Sequence, residues 1–274
     1  NVFINQYRSA FSSSYREEFS PRRAAIDIEN IEKVKQERTI GMSFYRTIEE
    51  NEKVVHFKLF HAEQPIPLSD VMPIFENMGF RVIGEHPYES IDRDGVTVWL
   101  HDFMLTTNDQ QVINIAKVRA NFEELFTKVW QGEAENDRFN RLIIAAYMNW
   151  RQIAMLRSYS RYMQQIRVSN SQEFISNTIV SNVEITKLLA DYFSHRFDPS
   201  GGALSPKGLK AEEKIEEKFY QALNDVHNLT EDKILRLYLD LIKATMRTNF
   251  YQIDSEGLEK SYISLKLQPR LIPN

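Results

Sequence analysis

The chain has 274 residues, with 34 lysines and arginines against 38 aspartates and glutamates, a formal charge of -4 and 42% hydrophobic residues. That length supports one large or two ordinary domains with a well-developed core, and the mildly acidic balance argues against a protein built mainly to neutralise nucleic acid or an anionic membrane. With no cysteine, disulfides, thiolate metal sites and a cysteine nucleophile are excluded, which fits a reducing cytoplasm, and no apolar run approaches the roughly 20 residues that span a bilayer.

The amino end lacks the basic-then-apolar order of a signal peptide. The chain starts at Asn1 and stops after LQPRLIPN, so a piece of a longer polypeptide is expected. Residues 1–38 read as a helical packing arm: Ser20 can cap, Pro21 suits the first helical position, and Ala24, Ala25, Ile28, Ile31 and Val34 recur at helical spacing. From Thr39 the period changes to two, with IGMSFYRTI and KVVHFKLF joined by the polar turn Glu49-Glu50-Asn51-Glu52, as in a hairpin.

Pro65 and Pro67 end that strand region, and LSDVMPIFENMG follows as a short helix with Val71, Ile74, Phe75 and Met78 on one face and Gly79 as its stop. FRVIGEHPYE and VTVWLHDFML read as two more strands around a turn at Asp92-Arg93-Asp94-Gly95. A helix from about Asp109 to Val129 completes the order ββαββα. The predicted class is therefore α+β, with residues 39–131 forming an ACT-like, ferredoxin-like α/β sandwich.

Beyond Gly132 the pattern is helical: Asp137 to Met148, Trp150 to Gln165, Ser171 to Val180, Val183 to Arg196, Leu209 to Asn228 and Glu231 to Thr248. Residues 132–251 form an all-helical domain in this reading, and 252–274, with the strand candidate YISLKL, a lead-in to something further on. The loop Asp198-Pro-Ser-Gly-Gly-Ala-Leu-Ser-Pro is rich in breakers.

One chemical bias stands out. From Arg138 through Gln172 the only charged residues are arginines, at 138, 141, 151, 157, 161 and 167. Guanidinium grips carboxylate or phosphate with two parallel hydrogen bonds, so Arg151, Arg157 and Arg161 are the candidate docking or anion-binding residues. At about 100° per residue, Met155, Leu156, Tyr159, Tyr162, Met163 and Ile166 fall on one side of their helix, and Arg157, Arg161 and Gln164 on the other.

Three uses of that arginine face compete. Ion pairing to acidic neighbours comes first, then a carboxylate or phosphate ligand, then nucleic acid, against which the acidic balance and the inward placement of the aromatics both weigh. Glu133, Glu135 and Asp137 precede a helix amino end, where acids cap amides and suit the helix dipole. The six histidines, at 56, 61, 86, 101, 195 and 227, form no HxxxH or HExxH pair, and His101 and Asp102 point to opposite faces of a strand. No phosphate-cradling glycine loop and no G-x-S-x-G elbow occurs, and Lys210-Ala-Glu-Glu-Lys-Ile-Glu-Glu-Lys is a solvated helix face. No catalytic, cofactor-binding or metal-binding residue is predicted.

Five ordered blocks resemble one family. They are YREEFSPRRAAIDI; PIPLSDVMPIFENMGFRVIGEHPYE with VWLHDF; VWQGEAENDRFNRLIIAA with NWRQIAMLRSYSRYMQQ; EDKILRLYLDLIKATMRTNFYQ; and SYISLKLQPRLIP. Together they are similar to the large bacterial NAD-specific glutamate dehydrogenases. The resemblance implies a middle segment: an ACT-like regulatory module, a helical domain, and the approach to a catalytic part that oxidatively deaminates L-glutamate to 2-oxoglutarate. It implies NAD as the cofactor of the full-length parent and none in this segment. Its own catalytic domain, other subunits of a homo-oligomer and a small-metabolite effector are the partners it suggests. A metabolite-sensing module and a nucleic-acid-binding helical protein are the alternatives.

Overall fold

Residues 7, 9–37, 39–47, 50–91, 95–200 and 205–272 are described by the computed structural model, and they fall into two units, Asn1–Gln131 and Gly132–Asn274. Glu49 of the hairpin turn, Asp92-Arg93-Asp94 of the second turn and residues 201–204 of the breaker loop lie outside the described residues.

In the first unit, α1 (Ser13–Glu18) and α2 (Pro21–Glu37) precede β1 (Gly41–Tyr45), β2 (Val55–Ala62), α3 (Leu68–Asn77), β3 (Phe80–Ile91), β4 (Thr97–Thr107) and α4 (Ile115–Trp130). The strands form an antiparallel sheet in the order β1-β2-β4-β3. That is the ferredoxin-like arrangement entered one strand early, so the α+β expectation and the order ββαββα hold. Helix α4 starts at Ile115, not near Asp109. Asn114 caps it, and the Thr107 hydroxyl accepts from the Gln111 amide at 2.7 Å, holding residues 107–114 in a turn.

Strand alternation gives the sheet two different faces. Phe44, Phe57, Phe80 and Phe103 meet Phe75 of α3 and Phe122 and Phe126 of α4, all fully or almost fully buried. Burying each such ring is worth about 1.5–3 kcal/mol, so this cluster dominates the unit's core.

The arm covers the other face. Tyr7, Ala10, Phe11, Tyr15, Ile31 and Val34 pack on Phe60, Tyr88, Val98 and Leu100. Phe11 bridges Ser90, and the Ile91 amide donates to the Ala10 carbonyl at 3.0 Å, so the arm also borders β3. Where α2 crosses β1 the backbones approach closely: a Cβ on Gly41 would sit 2.6 Å from Val34 Cγ2 and 3.1 Å from Phe60 Cβ.

The second unit is mostly helical. A 3-10 turn, Arg138–Arg141, leads into α5 (Leu142–Ala145), followed by α6 (Trp150–Gln165), α7 (Gln172–Ser181), α8 (Val183–Phe197), α9 (Pro206–Leu223) and α10 (Leu229–Ala244). The continuous helix expected from Asp137 to Met148 is thus two short pieces. Tyr147 takes φ 55, which no right-handed helix accommodates, and Asn149 then restarts the chain with a capping box to Gln152. Helix α9 begins at Pro206 with Ser205 as cap, earlier than Leu209, and ends at Leu223 rather than Asn228.

The helix expected to run through Thr248 stops at Ala244. Thr245–Thr248 is instead β5, antiparallel to β6 (Leu265–Leu267) within the YISLKL run. Asn249 closes the intervening loop: its side chain donates to the Tyr262 carbonyl at 3.0 Å and accepts from the Ser264 amide at 2.7 Å.

Candidate functional site

Helix α6 carries the three arginines, and they do not share a face or an environment. Met155, Leu156, Tyr159 and Met163 are buried as their spacing requires, but so are Arg151 and Arg157, whereas Ile166 is 39% exposed. The division into an apolar and an arginine side therefore fails in the first half of the helix. Neighbouring segments wrap it from both sides and supply polar partners.

Arg151 faces the loop after β5. Its Nη2 donates to the Phe250 carbonyl at 2.6 Å, its Nη1 to the Lys260 carbonyl, and Glu259 lies 3.3 Å from Nε. The planar fork ties two loop strands to one helix position.

Arg157 faces the acidic turn. It donates to both Asp137 oxygens, at 2.7 and 2.8 Å, and to Asn140 Oδ1 at 2.8 Å, while Glu135 stands 3.3 Å away. Asp137 also accepts from the Phe139 amide at 3.0 Å, so one carboxylate caps the 3-10 turn and grips a guanidinium.

Arg161, one turn further on, has a 61% exposed side chain and pairs with Glu135 at 2.6 Å. A cavity of about 310 Å³ opens beside this pair, lined among others by Glu133, Trp150, Ser158 and Tyr262. A carboxylate or phosphate entering it would compete with Glu135 for Arg161. Reaching Arg157 would mean breaking its bidentate pair with the half-exposed Asp137, which is more costly.

A second polar constellation lies in the first unit, between the arm and the sheet. Lys58 and Asp27, both with wholly inaccessible side chains, are 2.7 Å apart, and Tyr15 Oη donates to the same Asp27 oxygen at 2.6 Å. Burial pulls the Lys58 ammonium down, with Asp27 and Asp102 opposing it. Burial, reinforced by Asp27, pushes the Tyr15 phenol far up.

Beside them Asp102 Oδ2 accepts from Tyr45 Oη at 2.8 Å and meets His56 Nδ1 at 3.1 Å, and His56 Nε2 meets Glu50 at 2.5 Å. Burial alone would lower His56, but Asp102 and Glu50 outweigh it and hold the imidazole above its ordinary 6.5. His101, on the opposite face, contacts Glu85 at 2.7 Å and accepts from the Ile66 amide at 3.2 Å. His101 and Asp102 do diverge, but Asp102 finds its histidine across the sheet.

The sequence pattern names Glu50, His56 and Asp102 separately but does not bring this cluster together. The available signal was Asp27, four residues before Ile31 on the buried stripe of α2, together with the even-numbered His56 and Lys58 on a strand with no exposed side chain. Among the described residues no group of three or more His, Cys, Asp and Glu could hold a metal ion, and no helix is long and apolar enough to cross a membrane.

Comparison with known proteins adds a third kind of observation. Residues 1–34 match a model described as glutamate dehydrogenase, helical motif 2; residues 39–118 the ACT3 domain; residues 134–199 helical motif 3; and residues 218–274 the bacterial NAD-glutamate dehydrogenase catalytic domain. The chain is 45% identical over 269 residues to the NAD-specific glutamate dehydrogenase of Halomonas elongata, covering 98% of this chain and 16% of that protein. The enzyme of the same name from Pseudomonas aeruginosa is 39% identical over 98% of this chain and 17% of its own length. That from Mycobacterium tuberculosis is 28% identical over 97% of this chain and 16% of its own. The chain thus spans about a sixth of the length of these relatives.

Proposed function

We propose, given that this chain belongs to the NAD-specific glutamate dehydrogenase family, that it is a regulatory and scaffolding segment of such an enzyme. The whole protein would oxidise L-glutamate to 2-oxoglutarate with NAD. The observation that carries this reading is the order of the matches: an ACT3 module lies between two helical motifs, and a catalytic-domain match begins only at residue 218.

The geometry suits that role. The sheet of the ACT-like module carries helices on both faces, and the buried arginines Arg151 and Arg157 fasten structure of their own unit. No residue described here is assigned to NAD or to the reacting glutamate, and this segment by itself would not turn over. Its docking residue is Arg161, whose exposed guanidinium and carboxylate partner Glu135 offer both charges to another surface of the same enzyme, its catalytic domain or a neighbouring subunit of a homo-oligomer. The setting is cytoplasmic, and a small-metabolite effector is the regulatory signal.

Arg161→Ala in the full-length enzyme tests the docking role. Weakened assembly or altered effector response, with the fold intact, is expected. Unchanged mass, regulation and turnover would remove Arg161 from it.

A further inference from the structure

Six ionisable groups converge where α2 crosses the arm-facing side of β1, β2 and β4. Arg23 and Asp27 come from α2, Glu50 from the turn between β1 and β2, His56 and Lys58 from β2, and Asp102 from β4. The phenols of Tyr15 and Tyr45 link them: Tyr15 to Asp27, Tyr45 to Asp102, with the Tyr45 ring stacked on His56 at 4.9 Å and the Arg23 guanidinium 3.3 Å above that same ring. Arg23 and Lys58 supply two positive charges against three negative ones from Asp27, Glu50 and Asp102. The cluster is neutral only while His56 carries its second proton.

Lys58 sits at the pivot. It bonds Asp27 on the arm and is the register partner of Asp102 across the β2–β4 pair. With His56 charged, Asp102 has its own cation and Lys58 is left to Asp27. With His56 neutral, Asp102 loses that cation and competes for Lys58, which weakens the buried tie between arm and sheet. Charge shortage in so inaccessible a place cannot be made good by solvent.

We propose that protonated His56 is a latch holding the amino-terminal arm on the sheet of the ACT-like module, so that arm release is coupled to pH. The sign follows from linkage. Because Asp102 and Glu50 hold His56 above its ordinary value in the folded chain, the latch is fully engaged below that value and is lost as pH rises through the folded one. The coupling is a property of this chain's residues and stands apart from the activity of the whole enzyme.

Hydrogen exchange of the 274-residue chain across pH, corrected for the base-catalysed intrinsic rate, reads the latch directly in α1 and α2. Protection there should fall as pH passes above the ordinary histidine range, by about tenfold for each pKa unit by which closure of the arm raises His56. Glu50→Gln should move the step to lower pH, because it removes one of the two carboxylates that stabilise the imidazolium. Glu50 lies in a turn with its side chain 33% exposed and does not touch Lys58, so a shifted midpoint reports His56 and not the lysine. His56→Gln should abolish the step. A pH-independent arm in the parent chain, or an unmoved midpoint in Glu50→Gln, would overturn the proposal, and the Glu50 variant decides the matter even where His56→Gln fails to fold.

Discussion

Asp27 Oδ2 lies 2.7 Å from Lys58 Nζ, and neither side chain is exposed at all. This pair joins the arm helix to the second strand within the cluster of ionisable groups on the arm-facing side of the sheet. Removing one partner strands the other's charge. Lys58→Met is expected to cost about 3–5 kcal/mol, whereas Asp27→Asn combined with Lys58→Met should recover most of that loss. Urea unfolding of the four members of the cycle checks it, and additive costs would contradict it.

Gly41 tests how tightly the arm is seated. A methyl group there meets Val34 Cγ2 at 2.6 Å, and valine is stiff at χ1, so helix α2 itself must move. Gly41→Ala should destabilise by about 1–3 kcal/mol. Adding Val34→Ala should cost less than the sum of the two single changes, since each relieves what the other creates.

Arg157 and Arg161 stand one turn apart and should behave in opposite ways. Arg157→Ala leaves Asp137 without its guanidinium and Asn140 Oδ1 without its donor, and is expected to cost about 2 kcal/mol, reduced from the buried-pair value because Asp137 is 36% exposed. Arg161→Ala should change thermal stability by less than about 0.5 kcal/mol. An equal loss in both would mean that Arg161 is also structural and no clean reporter of docking.

Arg151→Lys separates charge from geometry. Lysine keeps the charge but cannot reach the Phe250 and Lys260 carbonyls with one planar fork, and the loss is expected at about 1–3 kcal/mol. Limited proteolysis should then cut faster within residues 250–264. Equal cleavage rates would mean that the Asn249 contacts alone hold that loop.

Much of this fold was legible because local chemistry and burial agree. Period-two runs became β1 to β4, Gly79 ended α3 at φ 91, and the run from Trp150 to Gln165 became α6. Errors fell where tertiary contact overrides a helical pattern. Thr245–Thr248 leaves α10 to pair with a strand some twenty residues later, and Tyr147 breaks a run whose side chains alone suggest continuity.

The arginines were visible as a compositional bias, but their environments were not. Whether a guanidinium is buried depends on where Asp137 and the Phe250 carbonyl return in space, which helical spacing does not encode. The His56 and Lys58 cluster was hidden for the same reason, since its carboxylates come from α2, a turn and β4.

Glutamate-dependent NADH formation, measured side by side for the 274-residue chain and the full-length enzyme, tests the central claim most directly. The full-length protein should reduce NAD on adding L-glutamate, and the folded segment alone should not. NADH produced by the segment would contradict a regulatory and scaffolding role, and a full-length protein inert toward L-glutamate and NAD would contradict the activity proposed for the whole.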